Sequence, residues 1–369
     1  MRAVFPSGHF QPSTGLKAPW LQTFLAAAPF GYNRRHALMK PMDLELSANG
    51  VKLHAALSQS QGRGLVILIH GWEGHINAPY MIRTGQALYD AGYHVARLHL
   101  RDHGHTHHMN EGLFNGSMLD EHFEAVRQIA GKFPGLPAYL GGYSLGGNFA
   151  LRIAAMISAR DSKTRFPNLA GVFAISAPLD PYKSTAAMDE HKLLGLHLRK
   201  QWWRSLDKKD RLFPGYFRFK ELRGEKSILR LTERLLQTHS DFQTLEDYFE
   251  TYTLTDSFFK TIKVPAYLLT AIDDPIIPPE EYHRIKTRPG LEIEFTDHGG
   301  HVGFLNNLKF QCYYVERILQ FIESLGDVTV SKKPQSVRRN KRGRQTKGSA
   351  KSRGNSKESV KRSIRKVRK

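Results

Sequence analysis

Gly142-Tyr143-Ser144-Leu145-Gly146 places a serine between two glycines, with two more at Gly141 and Gly147. Glycine costs backbone entropy in any regular element, so such a cluster marks a chain that must turn sharply or pack very closely. A short apolar run, Ala138 to Leu140, ends just before it, and a segment of helical spacing begins near Asn148. A G-x-S-x-G at a strand-to-helix turn exposes the serine hydroxyl and aims backbone N–H groups at whatever it attacks. The predicted chemistry is nucleophilic attack by Ser144 on a carbonyl, with the Leu145 N–H as one oxyanion donor.

A second donor is expected after an earlier strand. Leu65 to Ile69 runs into His70-Gly71-Trp72-Glu73-Gly74, and the Trp72 N–H is the candidate. Serine is a weak nucleophile unless a base, itself oriented by an acid, takes its proton. Tyr267 to Leu269 leads to Asp273-Asp274-Pro275, which gives Asp274 as the acid and Asp273 as the alternative. Leu291 to Phe295 is followed by Asp297-His298-Gly299-Gly300-His301. His301 is the expected base, with His298 the weaker candidate because it lies nearer the strand.

Those residues need a scaffold. Met42 to Ser47 and Val51 to Leu57 alternate around Ala48-Asn49-Gly50 and read as a hairpin. Nearly continuous apolar runs follow at Leu65 to Ile69, His94 to Leu100, Ala138 to Leu140, Gly171 to Ile175, Ala266 to Leu269 and Leu291 to Phe295. Runs of this kind suit strands buried on both faces of a parallel sheet. Between them, Phe149, Ile153 and Ile157 make a helical stripe, and Phe310, Tyr314, Ile318 and Phe321 make another. The predicted fold is α/β, a mostly parallel doubly wound sheet with helices on both faces. Every site candidate then falls at a carboxyl strand end, where open α/β sheets bind ligands.

The predicted divisions are an arm over 1–40, a core over 41–177 and 264–327, an insertion over 178–263 and a tail over 328–369. The insertion is charged, aromatic and mainly helical, and reads as a lid. From Lys332 onward, 17 Lys or Arg face the single acid Glu358, a net +16 that leaves +4 for the rest of the chain. Such a segment cannot bury enough apolar surface to offset its ordering entropy, and it is expected to be disordered. Its charge suits weak, salt-sensitive contact with anionic membrane or nucleic acid.

The lone Cys312 excludes an intrachain disulfide and a cysteine zinc site. No secretion signal or run of 18 apolar residues is found, and the expected location is cytoplasmic. His103, His105, His107 and His108 raise the question of a metal. Hydrogen bonding beside a pocket is the preferred reading, with no metal or cofactor expected.

From Phe10 to Leu325 the chain resembles the YheT-like branch of the α/β-hydrolases. The resemblance rests on F-Q-P-S and W-L-Q-T-F near the start, H-G-W-E-G with Ala78-Pro79-Tyr80, the elbow G-Y-S-L-G-G-N, D-D-P and G-G-H-V-G-F. It implies the α/β-hydrolase fold, Ser144, Asp274 and His301 as nucleophile, acid and base, and esters, often of medium acyl chains, as substrates. Trp72 and His75 depart from the usual H-G-L-E-G-S, and the aromatic pattern around Tyr252 to Ile262 is shortened. The expected activity is a serine carboxylic ester hydrolase working through an acyl-enzyme. The alternatives are an alcohol acyltransferase with the same triad, or a non-catalytic adaptor of this fold that binds through its tail.

Overall fold

The computed structural model describes residues 9–159 and 168–330. Its centre is an eight-stranded sheet in the order β1-β2-β4-β3-β5-β6-β7-β8. The strands are β1 (Met42–Ala48), β2 (Val51–Ser58), β3 (Leu65–Ile69), β4 (His94–Leu98), β5 (Ala138–Tyr143), β6 (Leu169–Ile175), β7 (Ala266–Ala271) and β8 (Leu291–Thr296). The first two form an antiparallel hairpin, and β2 also pairs antiparallel with β4. Every other pairing is parallel. Asn49 and Gly50 both take positive φ at the hairpin turn, the backbone that an Asn-Gly pair adopts at least cost.

The continuous apolar runs are explained by burial on two faces. In β3, Leu65, Ile67 and Ile69 join one core cluster with residues of helices Leu119–Gly131 and Leu145–Ala159. Val66 and Leu68 point the other way and join a second cluster with helices Pro79–Asp90 and Tyr313–Val330. Alternation along the strand thus serves two cores at once.

Strand ends differ from the sequence reading in ways that packing explains. β5 continues through Gly141 and Gly142 to Tyr143 instead of stopping at Leu140. A Cβ on Gly141 would lie 2.0 Å from the Phe173 ring, so this glycine admits a neighbour rather than breaking the strand. The helix after the serine starts at Leu145, three residues before Asn148. Phe310 precedes the helix Tyr313–Val330 and packs its ring near Phe30. That same helix reaches Val330, so the expected tail boundary at 328 lies inside it, and 331–369 fall outside the described residues.

Between β6 and β7 the chain forms helices Pro181–Glu190, Lys192–Leu212, Ile228–His239, Leu245–Glu250 and Asp256–Phe259. Among the described residues no helix is long and apolar enough to cross a membrane.

Candidate active site

Ser144 stands between the end of β5 and the first residue of the helix Leu145–Ala159, with φ +51. A non-glycine residue held there costs on the order of 1–3 kcal/mol, which the surrounding packing must offset. The flanking glycines make the turn possible. A Cβ on Gly142 would stand 2.1 Å from the Gly146 carbonyl oxygen, and one on Gly146 would stand 2.3 Å from the carbonyls of His70 and Ile69. Any side chain at either position collides with backbone that cannot yield.

The Ser144 hydroxyl lies 2.9 Å from His301 Nε2. His301 Nδ1 lies 2.9 Å from Asp274 Oδ2. Asp274 Oδ1 accepts the Ile276 and Ile277 N–H groups at 2.8 and 3.0 Å, so the carboxylate is fixed from both sides and buried. In this arrangement the imidazole carries its proton on Nδ1 toward the carboxylate. Nε2 is left as a lone pair facing the serine. Asp273 turns elsewhere: its Oδ1 accepts the Gly300 N–H at 2.8 Å, and its Oδ2 faces His298 Nδ1 at 3.4 Å. The structure therefore joins Ser144, His301 and Asp274, and it pairs the two weaker candidates with each other.

The His70–Gly74 turn is built around His70. That buried ring lies 2.7 Å through Nδ1 from the Gly71 carbonyl and accepts the Leu100 N–H at Nε2, 3.2 Å away. One tautomer satisfies both contacts, and burial holds the pKa well below the usual value, so the ring is neutral. Gly71 lies against the serine: a Cβ there would be 3.1 Å from Ser144 Cβ. The Trp72 and Leu145 amides have no hydrogen-bond acceptor among the described residues.

A cavity opens over Ser144, with walls from both the core and the helices after β6. Leu113, Phe114, Leu145, Trp202, Leu206, Leu235, Leu236, Phe249 and Tyr252 supply its apolar lining. Polar groups gather at one side. Lys209 and Asp102 form a buried ion pair at 2.7 Å, and His107 Nε2 lies 2.6 Å from Ser205 Oγ. Glu73, also on the wall, has its carboxyl pushed up to about 8 by burial, so at neutral pH it is mainly uncharged. Lys209 and Ser205 were not among the residues singled out from sequence. Their helix, Lys192–Leu212, carries no local pattern that distinguishes a wall residue from an ordinary helix face.

The four clustered histidines do not converge. His103 Nδ1 lies 2.6 Å from the Arg101 carbonyl, His107 meets Ser205, and His108 Nδ1 lies 3.0 Å from the His105 carbonyl. His103 packs its ring 5.2 Å from that of His70, and His105 turns toward His54 and His99.

A profile of the alpha/beta hydrolase family matches residues 66–310. The chain is similar to slr0264 of Synechocystis, a protein designated an esterase, at 29% identity over 288 residues, covering 70% of this chain and 76% of that one. It is similar to YheT of Escherichia coli, likewise designated an esterase, at 24% identity, covering 67% of this chain and 72% of that one. The mouse phospholipase ABHD3 matches at 23% identity over 71% of this chain and 64% of its own length. Among solved structures, the Pyrococcus furiosus esterase Pf2001 superposes with a TM-score of 0.52 at 18% identity, covering 77% of this chain and 90% of that one.

Proposed function

This chain belongs to the alpha/beta hydrolase family, and from that premise we propose that it is a serine carboxylic ester hydrolase acting on esters with an apolar acyl chain. The observation that carries the reading is the 2.9 Å approach of Ser144 Oγ to His301 Nε2, in line with a 2.9 Å approach of Nδ1 to Asp274. Relatives designated as esterases agree with it.

In this mechanism Ser144 Oγ attacks the ester carbonyl while its proton passes to His301 Nε2. The resulting imidazolium is stabilised by Asp274, which keeps the ring in the orientation needed for transfer. The oxyanion is received by the Trp72 and Leu145 N–H groups, the second at a helix N-terminus where partial positive charge accumulates. Nε2–H then protonates the departing alkoxide, leaving the acyl group on Ser144. A water molecule, deprotonated by the same nitrogen, releases the acid and restores the serine.

The substrate class rests on the cavity lining. Its aromatic and aliphatic walls suit an acyl chain, since burying each methylene contributes about 0.8 kcal/mol. Lys209 is already neutralised by Asp102, and Glu73 is held mainly protonated, so these two groups do not favour a charged substrate tail. The helices over 178–263 act as a lid in this reading.

The test is a chain-length series of p-nitrophenyl esters with wild type and Ser144→Ala. The reading predicts kcat/KM rising with acyl length into the medium range and loss of activity in the variant by on the order of 10⁴-fold or more. Equal turnover by the two proteins would overturn it.

A further inference from the structure

Three imidazoles from separate parts of the chain meet beside the sheet, away from the serine. His54 lies on β2, His99 follows the end of β4, and His105 comes from the loop beyond. The ring centroids are 5.5 Å apart for His54 and His99, 4.7 Å for His54 and His105, and 5.0 Å for His99 and His105. One nitrogen of each lies within 4.8 Å of the others. We propose that His54, His99 and His105 form a binding site for one divalent transition metal of the zinc, cobalt or nickel class.

Three observations point to a ligand rather than to ordinary packing. His99 is 1% exposed, yet neither of its ring nitrogens has a hydrogen-bond partner among the described residues. His54, also buried, leaves Nδ1 without a partner while its Nε2 lies 3.0 Å from Asp43 Oδ1. A buried polar atom left unpaired costs about 1–3 kcal/mol, so two such rings side by side call for a shared partner. The carboxylate at Nε2 of His54 fixes the tautomer that leaves Nδ1 as a lone pair, the arrangement in which a carboxylate orients a metal-binding histidine.

The chemistry of the set is consistent. Burial and the neighbouring rings hold His99 and His105 below the usual histidine range, so both present lone pairs at neutral pH. Neutral imidazoles suit borderline metals and not calcium or magnesium. Lys208, whose Nζ donates to the Gly104 carbonyl at 2.7 Å, is a positive charge that acts on His105 and disfavours a weakly held ion there.

Nitrogens on one tetrahedral ion at about 2.1 Å stand about 3.4 Å apart, so the set has to close by at most about 1.4 Å. His105 is exposed and supplies that movement. Gly104, with φ +60, brings it close: a Cβ there would strike His99 Cε1 at 2.5 Å. Because Asp102, His103 and His107 of the same loop line the cavity, a metal here clamps the loop that forms one wall of the active site. His70, whose ring lies 5.4 Å from that of His99, connects this site to the turn bearing Trp72.

The experiment uses full-length chain without an affinity tag, stripped with a chelator and titrated with Co²⁺ in competition with Zn²⁺. One equivalent of cobalt with tetrahedral visible bands is expected. His105→Gln should weaken it by about 100-fold or more, and Asp43→Asn by about tenfold. His108→Gln, whose ring faces the His105 carbonyl instead, should bind like wild type. Because His105 is exposed, its variant should melt like metal-free wild type, and only wild type should gain melting temperature on adding Zn²⁺. Absence of stoichiometric cobalt in wild type, or equal affinity in His105→Gln, would overturn the proposal.

Discussion

The Thr23 hydroxyl oxygen accepts the backbone N–H of His301 at 2.9 Å, across 278 residues of sequence. Its neighbour Gln22 is fully buried, donates to the carbonyls of Leu16 and Leu305 and accepts the Leu305 N–H. Gly300 passes so close that a Cβ there would stand 2.3 Å from the Pro19 carbonyl. The N-terminal helix Pro19–Ala26 therefore serves as a brace that sets where the His301 loop stands, and W-L-Q-T-F is the sequence of that brace.

Removing the Thr23 acceptor without changing shape should disturb His301 more than it disturbs the fold. Thr23→Val is expected to lower kcat by about 3- to 10-fold, the equivalent of about 0.7–1.4 kcal/mol, with little change in melting temperature. Gln22→Ala strands buried groups on two loops and should cost about 1–3 kcal/mol of stability as well. Steady-state kinetics beside thermal melts separate the two effects, and unchanged kcat in both variants would contradict the brace.

Asp274 and Asp273 are adjacent in sequence and have different partners. Asp274→Asn keeps the size but reverses the hydrogen-bonding demand on His301 Nδ1, and a loss of about 10⁴-fold in kcat is expected from the wrong tautomer. Asp273→Asn weakens a charge-assisted bond to the Gly300 N–H and should cost about 1–2 kcal/mol of stability, with a far smaller kinetic effect. Parallel assays of the two variants decide it, and a larger loss from Asp273→Asn would reverse the assignment.

Glu73 gives a pH prediction with a definite sign. In the unfolded chain its carboxyl ionises near 4.5, whereas burial in the fold raises it to about 8. Between those values the unfolded chain has released its proton while the folded chain retains it, so folding stability falls as pH rises through that window. Glu73→Gln removes the dependence. Denaturant midpoints measured from about pH 5 to about pH 9.5 should move in favour of the variant as pH rises and level off above the folded value. A constant difference across the range would show that the carboxyl is not held protonated.

Much of this arrangement was legible in the chain because it is written locally. Gly142 and Gly146 announce an elbow, Asp273-Asp274-Pro275 and Gly299-Gly300-His301 each follow an apolar run, and a parallel α/β sheet gathers the carboxyl ends of such runs at one edge. What was not legible depends on pairings that topology alone creates. Thr23 meets His301 only because the arm crosses the last loop, and Lys209 meets Asp102 only because the long helix after β6 packs down on the loop after β4. The histidine-rich stretch drew attention within 103–108, yet the partners of His105 lie at 54 on β2 and at 99 just past the end of β4. The apolar run ends at Leu140 while the strand goes on to Tyr143, because Gly141 gives up its side chain to the Phe173 ring.

The most direct measurement is active-site labelling with a fluorophosphonate followed by mass spectrometric mapping of the adduct. The account predicts one adduct per chain on Ser144, abolished in Ser144→Ala and slowed strongly in His301→Ala, because attack on phosphorus needs the same proton acceptor. An adduct on another residue, or undiminished labelling of Ser144→Ala, would contradict it.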